Sequence, residues 1–80
     1  MNDDELLKRI TFNPAIFARK PIIRGMRMVV EHILGMIAAG STVEELLEAY
    51  PFFLKEDIQA CLVYAHRMVS HERIEPALVA

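Results

Sequence analysis

Val30-Glu31-His32-Ile33-Leu34-Gly35-Met36-Ile37-Ala38-Ala39-Gly40-Ser41-Thr42-Val43-Glu44-Glu45 is the stretch on which the fold turns. Upstream of it, apolar residues alternate with polar ones. From Val30 the period lengthens to about 3.6, placing Val30, Ile33, Leu34 and Ile37 on one face of a helix over residues 30–39. Gly40 stands where a helix ends in the left-handed conformation. Thr42 and Glu45 then have the spacing of a capping box, in which hydroxyl and carboxylate each satisfy a free backbone N–H at a helix start. A second helix over 43–50 follows, with Val43, Leu46, Leu47 and Tyr50 inward and Pro51 as its stop.

Toward the C-terminus, the spacing predicts a third and longest helix over 55–70. Its inward stripe is Ile58, Cys61, Leu62, Ala65, Met68 and Val69, and Gln59, Val63, His66 and Arg67 lie opposite. Glu56 and Asp57 fall in its first turn, where carboxylates suit the positive end of the helix dipole. Residues 71–80 read as a detachable tail.

Toward the N-terminus, residues 9–13 alternate as a short strand that Asn13-Pro14 ends. Pro21 introduces a second strand, over 22–29, with Gly25 as a bend. Residues 1–8 are acidic and are expected to fray. The fold class is therefore mainly α: a short N-terminal β-ribbon followed by a three-helix, helix-turn-helix-like bundle forming one domain over 9–70. A ribbon of two strands is marginal alone and needs helices or a second copy to cover it.

Eighty residues make one small domain, expected to bury only about 60% of its unfolded surface. With 54% hydrophobic residues, five Met and no Trp, the chain holds more apolar material than such a core readily hides. This predicts a homodimer, joined through the N-terminal strands, or an obligate partner. The absence of a long apolar run or a signal-like start predicts a cytoplasmic protein that makes no use of a membrane. Cys61 is the single cysteine, which rules out an internal disulfide, and its place on an apolar stripe favours packing.

Charge is unevenly spread. The formal net charge is −2, yet four of the nine Lys and Arg residues, Arg19, Lys20, Arg24 and Arg27, fall within nine positions, and no acid occurs between Asn13 and Val30. That segment is a candidate anion-binding surface for a phosphate backbone or an acidic partner. With Gln59, His66 and Arg67 as readers on the third helix, it forms the candidate DNA contact set. Used twice in a dimer, the four cations predict a slope of log affinity against log salt of roughly −7. Arg24 and Arg27 are read as solvent-facing, so that replacing both by Ala spares the fold. Candidate partner-binding residues are Met26, Met28, Met36, Ile74, Leu78 and Val79, since Met adapts to irregular surfaces; for Met68 and Met28 core filling is the stronger reading. No phosphate loop, activated nucleophile or metal-ligand spacing is present, so neither enzyme activity nor a cofactor is expected. The three histidines read as surface residues.

Several ordered anchors resemble a known family: Arg9-Ile10-Thr11 with Asn13-Pro14, Lys20-Pro21-x-Ile23-x-Gly25-x-Arg27, Val30-Glu31, Ala39-Gly40-x-Thr42-x-Glu44-Glu45, Tyr50-Pro51, Glu56-Asp57-Ile58 and Tyr64-Ala65. They are similar to the bacterial and archaeal domain of unknown function 433, described as like VapB-type antitoxins. The resemblance implies a helix-turn-helix-like antitoxin that neutralises a PIN-like nuclease and binds its own operator DNA as a dimer. Three departures stand out. Ala18-Arg19 replaces the usual Gly-Gly, Met26 and Met28-Val29 replace Thr and Ile-Pro, and Leu54 replaces a capping Thr at an expected cost of about 1 kcal/mol. The alternative expectation is a homodimeric protein-interaction module without DNA binding.

Overall fold

A computed structural model describes residues 1–15, 20–24, 26 and 28–71. Among them are four helices and a two-stranded sheet, in the order α1 (Asp3–Leu7), β1 (Ile10–Phe12), β2 (Pro21–Ile23), α2 (Val30–Ala38), α3 (Val43–Ala49) and α4 (Lys55–His71). The chain is thus mainly helical with a small antiparallel ribbon.

The first correction lies at the N-terminus, where residues 1–8 contain a helix instead of fraying. The Asn2 side chain caps α1 by accepting from the Glu5 N–H at 2.8 Å, and Asp3, Asp4 and Glu5 occupy the first turn. Those carboxylates favour the positive end of the dipole. Five residues are too few for such a helix to persist alone. Packing supplies the rest: α1 lies along α4 with Leu6 buried.

β1 and β2 pair antiparallel, with Ile10 opposite Ile23, Thr11 opposite Ile22 and Phe12 opposite Pro21. Proline sits at the start of its strand, where the missing N–H is least costly. The expected strand over 22–29 is shorter, because Arg24 adopts φ 45°. That left-handed backbone is uncommon for a side-chain-bearing residue and ends the ladder. Its N–H still donates to the Arg9 carbonyl at 2.7 Å, and the chain folds back so that Val29 bridges to Ile22. The bend assigned to Gly25 lies outside the described residues.

α2 and α3 match their expected starts. Gly40 follows α2 at φ 108°, a conformation that glycine adopts without a steric penalty. Both bonds of the Thr42–Glu45 capping box form, at 3.1 and 2.9 Å. The core gathers Ile23 from β2, Val30 and Ile33 from α2, Leu46 from α3, Phe53 from the following turn, and Ile58 and Cys61 from α4. Phe53 was not anticipated, because it precedes α4 outside any periodic stripe.

The expected inward stripe of α4 is only partly right. Ile58 and Cys61 are fully buried, but Leu62, Met68 and Val69 are 42%, 47% and 59% exposed. Asp57 and Ala60 take interior positions instead, so the buried face is rotated toward Asp57, Ala60 and Tyr64. Met68 therefore does not fill the core, whereas Met26, Met28 and Met36 pack half-buried against it. No described helix is long and apolar enough to cross a membrane.

Candidate functional site

The chemistry of this domain converges on Asp57, the one buried charged residue among those described. It stands at the third position of α4, three residues after Leu54. Its Oδ2 accepts the Leu54 N–H at 2.8 Å and so performs the carboxylate half of a capping box where no hydroxyl is available. The cost expected from Leu54 at the cap is offset in this way.

Two arginines complete the cluster. Arg24 donates Nε to Oδ1 and Nη2 to Oδ2, both at 2.8 Å, which is the paired geometry that makes guanidinium–carboxylate bonds strong. Arg9 donates Nη1 to Oδ1 at 3.0 Å. Arg24 Nη2 also reaches the Phe52 carbonyl at 3.4 Å. The left-handed backbone at Arg24 and its bond to Arg9 aim this side chain across the ribbon onto the start of α4.

Burial alone pushes the Asp57 carboxyl pKa up, since removing a charge from water disfavours it. The hydrogen bonds from Arg24, the Leu54 N–H and Arg9 outweigh that penalty, and Asp57 titrates below the usual carboxylate range. The same contact with Asp57 holds the Arg24 guanidinium protonated more firmly. Nearby, burial and then the charge of Asp57 push the Cys61 thiol up to about 12. Cys61 is a packing residue, not a nucleophile at neutral pH.

This geometry revises the candidate anion-binding set. Arg24 is not a free surface cation but one arm of a buried ion-pair cluster. Lys20 bonds the Glu31 carboxylate at 3.2 Å, and Arg67 meets Asp4 at 3.4 Å. Both of these pairs are exposed, where such contacts add at most about 1 kcal/mol. Gln59 and His66 are exposed on α4. Arg19 and Arg27, and the tail residues Ile74, Leu78 and Val79, lie outside the described residues. Of the remaining proposed partner contacts, Met26, Met28 and Met36 are half-buried.

Three features escaped the reading by pattern. Asp57 was assigned only a dipole role and Arg9 only a strand position, and of the exposed apolar residues Phe12 was placed only in the first strand, Leu54 only at a weakened cap and Phe52 nowhere. Phe12, Phe52 and Leu54 are 57%, 55% and 50% exposed. A usable signal for Asp57 was present: an acid three residues after a helix start that lacks Ser, Thr, Asp or Asn. Among the described residues no group of three or more His, Cys, Asp or Glu is placed to hold a metal ion.

Comparison with known proteins gives two findings. A family model described as "Protein of unknown function (DUF433)" matches residues 10–65. An uncharacterised protein, y4eO of Sinorhizobium fredii (strain NBRC 101917 / NGR234), is 38% identical over 56 residues, which is 70% of this chain and 25% of that relative. The chain thus spans about a quarter of the length of the curated relative it matches. No solved structure matches significantly. The matched segment contains Arg24, Asp57 and the core, whereas α1 and Arg67 lie outside it.

Proposed function

The chain belongs to the DUF433 family, and on that premise we propose that it is an antitoxin-like protein-interaction module that holds a nuclease partner through its exposed apolar surface. The observation that carries this reading is a contrast in how side chains are used. Arg9, Lys20, Arg24 and Arg67 are all engaged by acids of the same chain. Phe12, Phe52, Leu54, Leu62, Met68 and Val69 are about half exposed. Arg9 and Arg24, held by the buried Asp57, are less available to a phosphate track, and large apolar side chains left half exposed supply surface that a protein partner can cover. That a relative carries the matched segment within a much longer chain suits a module.

The experiment is co-expression of this domain with the product of a neighbouring PIN-like nuclease gene, whose absence from the neighbourhood counts against the reading. The expected result is co-purification and rescue of growth, both lost when Leu62 and Val69 are changed to Ser. Failure of the intact domain to co-purify with or restrain the nuclease overturns the reading.

Operator binding is the second reading, supported by the tight connection over 39–42 between α2 and α3 with Gly40 in the left-handed region. That arrangement is compatible with a helix-turn-helix. Against it, Arg67, the cation on the α4 face expected to read bases, meets Asp4, and the charged residues of α3 are Glu44, Glu45 and Glu48, with no cation among them. A salt series with the upstream DNA tests it. The protein-binding reading expects a slope much shallower than roughly −7, because two of the four cations counted toward that value, Lys20 and Arg24, already have carboxylate partners.

A further inference from the structure

The two edges of the ribbon are treated differently. The Arg24 N–H donates to the Arg9 carbonyl at 2.7 Å, while the Ile23 N–H turns away from β1 to the Met28 carbonyl at 3.2 Å. Arg9 opposite Arg24, and by alternation Thr11 opposite Ile22, are therefore the hydrogen-bonded pairs of this ladder. Ile10 and Phe12 consequently aim their N–H and C=O groups outward. On the β2 side the chain covers its own edge, since Met26 and Met28 bond Ile23 and Val29 bridges to Ile22. On the β1 side, no described residue bonds the backbone of Ile10 or Phe12.

An open edge is a template for another strand, and folds commonly guard it with Lys, Pro or a bulge. Ile10-Thr11-Phe12 carries no such guard, and its pairing with β2 is unbroken. Phe12 shares a face of the strand with Ile10. Ile10 packs half-buried against the core, whereas Phe12 is 57% exposed. A ribbon of two strands is also the least stable kind of sheet, and further strands strengthen it.

We propose that β1 pairs antiparallel with β1 of a second copy of this chain, about a twofold axis through Thr11, joining the two ribbons into one continuous sheet. Register is what selects a second copy over a foreign strand. With Ile10 opposite Phe12 of the second copy, every outward N–H and C=O of these residues finds a partner. Centring the axis on Ile10 instead sets Phe12 against Lys8, whose N–H already donates to the Glu5 carbonyl. Centring it on Phe12 sets Ile10 against Pro14, which has no N–H. The register that satisfies the edge is thus self-complementary, as a twofold contact requires. It sets Arg9 against Asn13, so no like charges face each other. It also lays each Phe12 beside the core-facing Ile10 of the other copy, where cross-strand apolar pairs add stability. The inference stands apart from the nuclease reading and does not depend on it.

The test is sedimentation equilibrium of the full chain from ~1 μM to ~1 mM, with amide hydrogen exchange measured at both ends of that range. So short a strand pairing is smaller than a standard interface, and the expected dissociation constant is on the order of 100 μM. The amides of Ile10 and Phe12 are expected to exchange ~5-fold more slowly at the high concentration, in step with the fraction dimerised. Phe12→Pro deletes an outward N–H while sparing the bonds to β2, and is expected to leave the chain monomeric. Thr11→Lys and Thr11→Glu each set like charges across the axis and are expected to weaken the dimer ~5-fold, whereas an equimolar mixture of the two regains it. A chain still monomeric at ~1 mM overturns the proposal. So does a dimer in which the Ile10 and Phe12 amides exchange equally at both concentrations, or a mixture of the Thr11 variants that associates no better than either alone.

Discussion

The two halves of α4 are built to opposite ends. From Lys55 to Cys61 the helix is fastened down: Asp57, Ile58, Ala60 and Cys61 have no exposed surface, and Asp57 joins the helix start to both strand ends through Arg9 and Arg24. From Leu62 onward only Tyr64 reaches the core cluster, while Leu62, Met68 and Val69 face outward. One continuous helix is thus held by the ribbon, α2 and α3 at its start, while toward its end it meets α1 through the Arg67–Asp4 pair and leaves Leu62, Met68 and Val69 about half exposed. A charged residue is buried on the same helix that leaves three large apolar residues exposed, against the ordinary expectation. What decides is the position of the neighbours, since the ribbon, α2 and α3 share their core with the first half.

The strongest way to break this contrast is to remove its polar centre. Asp57→Ala strands two arginines beside a buried surface, and the expected loss is about 3 kcal/mol in urea unfolding, the low end for a broken buried pair because both arginines touch water. A loss under about 0.5 kcal/mol, the usual range for surface substitutions, would place Asp57 among ordinary surface acids.

Acid sharpens the same point without mutation. Asp57 has a folded-state pKa below its unfolded value, so its contribution is fully present above the ordinary carboxylate range and is lost as pH falls through the folded pKa. Unfolding midpoints should be limited by this group only below about pH 4, and Asp57→Ala should have a flatter acid limb than the parent chain. Parallel acid limbs would contradict that assignment.

A smaller effect calibrates it. Thr42→Ala removes the hydroxyl half of the α3 capping box and should cost about 1 kcal/mol, less than Asp57→Ala, which removes the cap of α4 and the ion pairs together. Smallest of all, Leu62→Ser and Val69→Ser should each change stability by less than about 0.5 kcal/mol while abolishing nuclease capture. Stability losses of core size, about 2 kcal/mol or more, would show that this half of α4 is covered after all.

Local signals were legible and tertiary ones were not. The change of period at Val30, Gly40 and the Thr42–Glu45 pair act within a few residues, and the expected helices at 30–39, 43–50 and 55–70 lie within a residue or so of α2, α3 and α4. α1 escaped because five residues show no period, although Asn2 before three acids was a readable cap. The rotation of α4 escaped because its sequence offers apolar residues on more than one face, and only packing selects among them. The solvent-facing reading of Arg24 failed for a related reason. Counting charge along the chain found no acid near Arg24, whereas its partner stands 33 positions away.

Arg24 belongs to the fold, as the partner of Asp57, and not to a free anion-binding surface. Urea unfolding of Arg24→Ala at neutral pH tests it most directly. The ion-pair cluster requires a loss of about 2 kcal/mol, with Arg24→Lys recovering little of it, because an ammonium cannot reproduce the two-pronged contact with Asp57. An Arg24→Ala chain as stable as the parent would contradict it and return Arg24 to the surface.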